Sequence, residues 1–223
     1  AIGWGALSSN TTGNSNVAIG AATLDANTEG AANTAIGNSA LGANTTASNN
    51  TAVGFSALVA NTTGTDNVAV GQQAGKAVTT GNTNIAIGGL ALKTNTVGDR
   101  NVAIGYSALE TYNPSSNEDS FNVAVGYAAL EADTTGKNNT AVGGNALLLN
   151  TTGDSNTAVG TGALDANTTA SNNTALGKSA LSANTTGTDN VAVGANALDA
   201  NTTGQRNTSI GYLSLGANTT AAN

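Results

Sequence analysis

The residues of this chain that could do chemistry are its carboxylates. Four of them, Asp66, Asp99, Asp154 and Asp189, come just after an NTTG or NTVG segment, where carboxylate oxygens could bind calcium. The GGxGxDxUx loop of calcium-binding β-rolls is missing, so we expect solvated acids instead. No carboxylate pair has a spacing that demands acid–base catalysis. With no Cys and no His, the chain also lacks thiolate, imidazole and ordinary zinc chemistry. We therefore predict no catalytic residues, no metal, no cofactor and no enzyme activity.

The aromatic residues are the second group of candidates. Five of the seven come directly after a recurring glycine: Trp4, Phe55, Tyr106, Tyr127 and Tyr212. Other copies of this position hold small or polar residues, which indicates an exposed site. Such rings could contact a glycan or a host protein. The alternative is that they cover a bend or pack against a neighbouring chain.

A short insertion supplies the remaining candidates. Tyr112 and Phe121 bound the segment TYNPSSNEDSF, which contains the only proline, Pro114, and the acidic residues Glu118 and Asp119. A loop held on a rigid scaffold is a frequent binding site, so we treat Tyr112 and Phe121 as candidate ligand contacts. The alternative is an insertion that a solenoid tolerates at a bend.

A strict repeat positions all of these residues. Glycines that close an A[VIL]G or SIG segment recur at a 17-residue interval from Gly3 to Gly211, except for one 21-residue interval between Gly105 and Gly126. The chain is thus thirteen copies of N[TVI]A[VIL]GxxALxxNTTGxx with a four-residue insertion within 112–121. We predict one continuous repeat domain over 1–223, as a piece of a longer fibre.

The repeat predicts an all-β fold, a parallel β-solenoid of thirteen 17-residue coils. A 17-residue unit rich in Gly, Asn and Thr is too short and too poor in helix formers for a helical hairpin. In NVAVG, the residue after Asn and the one two positions later share one strand face, while Asn and Ala share the other. We expect the first pair to pack with the Leu of xxAL in the core. The small Ala on the opposite face would then let another sheet approach, so we expect oligomerisation.

Parallel stacking in register brings identical residues together. An Asn stacked on its own copy can donate to one neighbour and accept from the other, so the Asn that starts each strand predicts a structural ladder. Its members are Asn16, Asn33, Asn50, Asn67, Asn84, Asn101, Asn122, Asn139, Asn156, Asn173, Asn190 and Asn207. The Asn of NTT is broken at Val78, Tyr112 and Asp133, which indicates a weaker requirement, that of a turn former.

Charge and hydropathy exclude several partners. The formal net charge is −7 and the 6 Lys and Arg residues are scattered, which disfavours nucleic acid and anionic membranes. No run of 18 or more apolar residues occurs, so we expect no membrane insertion by this segment.

The segments NVAVG, NTAIG and NVAIG, each followed by xxAL, resemble the NSVAIGxxSxA repeat of trimeric autotransporter adhesin heads of the YadA type. Similar repeats occur in phage tail-fibre proteins, and the resemblance covers essentially all 223 residues. It implies a left-handed parallel β-roll, a homotrimer, possible end-to-end assembly, and a structural and adhesive role in an extracellular fibre. Such a fibre would be a cell-surface appendage or a virion tail fibre that attaches to a host glycan or matrix protein. The family's head coils are shorter than the repeats of this chain, so the resemblance does not carry over the details of the turn and of the trimer contact.

Stacked threonines favour one alternative, an ice-binding β-solenoid. The first Thr of NTT forms a regular column, as at Thr45, Thr62 and Thr185, beside a second Thr column. An ice-matching face usually has TxT with both hydroxyls outward. Adjacent threonines alternate between faces instead, which counts against this alternative.

Overall fold

The computed structural model describes residues 1–221, and every regular element in that range is a three-residue β-strand. The chain divides into two compact units, Ala1–Ser120 (unit 1) and Phe121–Asn223 (unit 2). Unit 1 contains β1 Val17–Ile19, β2 Thr34–Ile36, β3 Thr51–Val53, β4 Val68–Val70, β5 Ile85–Ile87 and β6 Val102–Ile104. Unit 2 contains β7 Val123–Val125, β8 Thr140–Val142, β9 Thr157–Val159, β10 Thr174–Leu176, β11 Val191–Val193 and β12 Thr208–Ile210.

Within each unit the strands form a parallel sheet in sequence order. Each strand pairs with the strand of the next repeat, so that Ala35 lies beside Ala52 and Ala52 beside Ala69. The same register joins Ala141, Ala158 and Ala175 in unit 2. The predicted all-β parallel solenoid with 17-residue coils is therefore confirmed.

Tight corners bend each coil back on itself. Three non-glycine positions of the repeat have positive φ, as at Ser39 (57°), Leu41 (51°) and Asn49 (63°). A non-glycine residue in this conformation costs about 1–2 kcal/mol, so neighbouring coils must stabilise it. Leu41 N–H donates to the Ala57 carbonyl (3.0 Å) in the next coil, and Ser39 N–H to the Ala21 carbonyl (3.0 Å) in the previous one.

The glycine that ends each strand is required by both conformation and space. Gly160 has a φ of 135°, a conformation that L side chains rarely adopt. A Cβ added to Gly160 would lie 2.5 Å from the Gly177 carbonyl oxygen. Only glycine therefore allows the coils to approach each other at this corner.

The core differs from the sequence prediction. The central residue of each strand, Ala in β1–β11 and Ser209 in β12, is buried, whereas Ile36, Val70 and Ile87 lie on the outside. Buried Leu and a second Ala, such as Leu58 and Ala57, complete the apolar interior. The prediction that the Val and Ile of the strand form the core is wrong.

The physical reason for this inversion is the polar content of the coil. The Asn that begins each strand is buried and bonds to backbone groups that the corners leave unpaired. Asn and Ala are two residues apart along the strand, so their side chains point to the same face, and a buried Asn also places Ala inside. The narrow interior accepts the Ala methyl group, and the branched side chains face outward.

Candidate functional site

The first Asn column is formed by the Asn that starts each strand, and it is continuous within each unit. Asn50 N–H donates to Asn33 Oδ1 (2.9 Å), and Asn50 Nδ2 donates to the Gly64 carbonyl (2.9 Å) of the next coil. Direct amide-to-amide bonds are longer, as for Asn84 Nδ2 and Asn67 Oδ1 (3.2 Å). These side chains therefore link backbone to backbone across coils more than they link to one another.

The second Asn column consists of the NTT asparagines, and its amide side chains bond directly to one another. Asn44 Nδ2 donates to Asn27 Oδ1 (2.8 Å) and also to the Ala47 carbonyl (3.0 Å) of its own turn. Asn167 repeats the arrangement in unit 2 with Asn150 (2.8 Å) and Ala170 (3.0 Å). The NTT asparagine is thus both a turn former and a buried structural residue. The role as a buried structural residue was not predicted from the sequence, although an amide that recurs in nearly every repeat was a signal for it.

Two interruptions of the second ladder have chemical consequences. Val78 provides no amide, and the buried Asn61 Oδ1 of the preceding coil has no hydrogen-bond partner among the described residues. Asp133 replaces the amide by a carboxyl group that is fully buried and accepts the Gly136 N–H at Oδ1 (2.8 Å). Burial raises the pKa of Asp133 to about 8. Hydrogen bonds from Gly136, Asn150 and Asn139 lower this pKa, whereas the negative charge of Asp154 raises it further. Asp133 is therefore a neutral carboxyl group at pH 7.

The outer face of each sheet is a regular apolar surface. We call it the outer strip: the first and third residues of β1–β6 in unit 1 and of β7–β12 in unit 2. Val17 and Leu176 are 44% and 47% exposed, and the other members are partly or well exposed. Every member is Val, Ile, Leu or Thr, so the strip carries no charge. The sequence predicts that these residues share one strand face, but the prediction that this face is the core is wrong.

The five repeat aromatics lie on the surface, at the residue after the corner glycine. Trp4, Phe55 and Tyr106 in unit 1 are 84%, 51% and 53% exposed. Tyr127 and Tyr212 in unit 2 are exposed as well. The sequence analysis expected this exposure from the tolerance of the position. In unit 1 the stacking register places the three rings in one column.

The insertion is more tightly anchored than its sequence indicated. Thr96 Oγ1 donates to Asn113 Oδ1 (2.7 Å), Asp99 N–H donates to the Glu118 carbonyl (3.0 Å), and Arg100 forms an ion pair with Asp119. Residues 115–117 at its tip are exposed. The insertion therefore combines an exposed tip with an anchored base.

The two aromatic residues that bound the insertion differ in burial. Phe121 is half exposed and remains a candidate contact. Tyr112 is fully buried, and its ring and Pro114 lie against the Gly98 backbone. Tyr112 is therefore a core residue, because it occupies an inward-facing place of the second Asn column, and its sequence-based assignment as a ligand contact is corrected.

The threonine columns have unequal surroundings. The first Thr donates its hydroxyl to the next coil, as from Thr62 Oγ1 to the Thr79 carbonyl (3.1 Å). The second Thr is exposed at Thr46, Thr63 and Thr186. The first hydroxyl column is thus bonded to the backbone of the next coil, whereas within residues 1–221 the second column, as at Thr46, Thr63 and Thr186, shows no such bond.

The acidic residues do not gather. Asp66, Asp154 and Asp189 are exposed, and residues 1–221 contain no cluster of three or more Asp, Glu, His or Cys side chains that could hold a metal ion. No helix long and apolar enough to cross a bilayer occurs in the same range. No protein-family model matches the chain, and the searches of curated proteins and of solved structures find no match.

Proposed function

We propose that this chain is a structural and adhesive segment of an extracellular fibre, assembled from parallel copies of itself. The observation that carries the proposal is the outer strip, a charge-free row of branched side chains on the outer face of a hydrogen-bonded sheet. An exposed contiguous apolar surface of this kind marks an interaction site. The strip repeats with the coil, so a second copy in the same register presents a matching surface along its whole length.

The dimensions of the strip suit self-association. Six strands at about 4.8 Å give a length of roughly 30 Å in each unit, and three residues at about 3.3 Å give a width of roughly 10 Å. Each unit therefore offers on the order of 300 Å² of apolar strip, against the roughly 800 Å² per partner of a stable interface, so the strip would be the apolar centre of a larger contact.

The resemblance of the repeats to trimeric adhesin heads and tail-fibre proteins supports a homotrimer with a left-handed coil. It also supports an extracellular location, as a cell-surface appendage or a virion tail fibre, and an attachment role toward a host glycan or matrix protein. The stacked, hydrogen-bonded coils supply a scaffold for such a role, while the residue after each corner glycine varies from coil to coil.

Solution mass tests the proposal. We expect light scattering to give a mass near three chains, and the triple variant Ile36→Lys, Val70→Lys, Ile87→Lys to give single chains, because each new charge would be buried at the contact. The control Thr12→Lys, Thr46→Lys, Thr63→Lys adds the same charge at exposed positions of the same unit and retains the native mass. Far-UV circular dichroism checks that both variants keep their β signal. A wild-type chain that stays single at all concentrations would refute the proposal.

Ice binding is the second candidate, because the exposed second Thr column repeats at strand spacing. Thermal hysteresis of the wild-type chain that is lost in the Thr12, Thr46 and Thr63 variant would favour it over the fibre role. Absence of hysteresis would remove it.

A further inference from the structure

The exposed aromatic residues of unit 1 have a regular spacing. Trp4, Phe55 and Tyr106 occupy the same place in the coil, and each is separated from the next by three coils. Coils in register stack at about 4.8 Å, so neighbouring rings lie about 14 Å apart along the column. We propose that this column binds an extended, uncharged polysaccharide that runs along the stacking direction of unit 1. This inference deepens the attachment role proposed above and rests on it.

The ring of Tyr106 is oriented along the column. A Cβ added to Gly89, one coil earlier at the same place, would lie 3.3 Å from Tyr106 Cδ2 and 3.5 Å from Cε2. The ring therefore leans along the column over Gly89, and the residue remains half exposed. A glycine at the preceding coil leaves room for this orientation, which a larger side chain would block.

The positions between the rings are small or carry amides. Ala21 and Asn38 separate Trp4 from Phe55, and Gln72 and Gly89 separate Phe55 from Tyr106. Asn38 and Gln72 are exposed, and each offers one acceptor and two donors. Aromatic faces that accept the apolar C–H surface of a sugar ring, with a few polar groups for its hydroxyls, are the usual composition of a small-molecule site. A column of rings at equal intervals with amides between them suits a ligand long enough to reach several rings.

Charge favours a neutral ligand over a polyanion. The unit 1 column contains no charged residue from Trp4 to Tyr106, and the whole chain has a formal net charge of −7. A sulfated or uronic polymer would be repelled by the overall field and would find no cation in the column. A protein partner is also disfavoured, because protein hot spots cluster at the centre of a contiguous patch, whereas these rings are three coils apart.

Unit 2 provides a matched control. Tyr127 and Tyr212 have the same place in the coil and are also exposed, but they are five coils apart with Lys178 between them. The proposal therefore assigns binding to the unit 1 rings and not to exposed aromatics in general.

Affinity electrophoresis of the full chain tests the proposal, with hydroxyethyl cellulose, soluble xylan and mixed-linkage β-glucan as neutral probes and heparin as the polyanion. We expect retardation by at least one neutral polymer and none by heparin. The triple variant Trp4→Ala, Phe55→Ala, Tyr106→Ala should lose about tenfold or more in apparent affinity, as expected for the loss of several stacked aromatic contacts. The variant Tyr127→Ala, Tyr212→Ala should bind like the wild type.

Four binding results would overturn the proposal: no retardation by any neutral polymer, retardation only by heparin, unchanged binding by the unit 1 variant, or an equal loss in the unit 2 variant. Light scattering on the same samples separates this proposal from the fibre role. A trimeric mass without glycan binding defeats only the glycan site, whereas a single-chain wild type defeats the fibre role. A fall in mass of the unit 1 variant would assign the rings to self-association and also overturn the glycan site.

Discussion

Replacement of Asp133 by Asn should stabilise the protein at neutral and alkaline pH. Asp133 stands in a buried column that is otherwise mainly Asn, and its carboxyl group has no exposed surface. Ionisation there places a charge where the other coils have a neutral amide. An Asn at this position keeps the acceptor for Gly136 N–H and has the same size as the protonated acid.

The sign and size of the effect follow from proton linkage. Folding raises the pKa of Asp133 from the ordinary aspartate value of 3.8 to about 8, so folding takes up a proton between these two pH values. The unfolded chain binds fewer protons there, and the free energy of unfolding therefore falls as pH rises, by about 1.4 kcal/mol per pH unit. The contribution is fully present below the unfolded pKa. From pH 4 to pH 7 the loss amounts to about 4 kcal/mol, and it is complete once pH passes the folded pKa.

Chemical denaturation followed by far-UV circular dichroism from pH 4 to pH 9 measures this effect. The Asp133→Asn variant should unfold at higher denaturant concentration than the wild type at pH 7, with a difference that vanishes near pH 4. The control Asp189→Asn removes an exposed carboxylate of the same unit and should keep the wild-type pH dependence. A wild type and an Asp133→Asn variant with parallel stability profiles would show that the carboxyl group of Asp133 is not held neutral.

Three further pairs of substitutions, each measured by denaturation midpoint, test the packing of the coil. Val78→Asn should give Asn61 Oδ1 a donor and stabilise the protein by about 1 kcal/mol, whereas Val78→Ala should destabilise it. Gly160→Ala should prevent folding or cost more than about 3 kcal/mol, since it adds a Cβ at positive φ against the next coil. Gly144→Ala, where no heavy atom lies within 4 Å of the new Cβ, should be neutral or slightly stabilising. Leu164→Ala should cost about 2–5 kcal/mol through a core cavity, while the half-exposed Leu149→Ala should cost less than about 1 kcal/mol. Equal effects within either the glycine or the leucine pair would contradict the assigned environments.

Much of the fold could be predicted because the repeat is strict. Stacking identical coils satisfies every copy in the same way, so the 17-residue interval predicts parallel strands in register without knowledge of the coil's path. The exposure of Trp4, Phe55 and Tyr106 was also predictable, since a position that accepts Gly, Lys and Trp is not a core position. The unpaired acceptor at Asn61 could be anticipated only once its column was known to be buried.

The sequence by itself determined the period, the place of each strand and which side chains share a face. Alternation along a strand shows which side chains share a face, but it does not indicate which of the two faces is buried. The tertiary structure decided that question. Closing a 17-residue coil through positive-φ corners leaves a narrow interior with backbone groups that need partners, and the Asn amides fill that need. Ala lies inside with Asn because the two share a strand face, and Tyr112 occupies an inward-facing position at an interruption of the second column. Val and Ile lie on the opposite face of the strand and therefore form the outer strip.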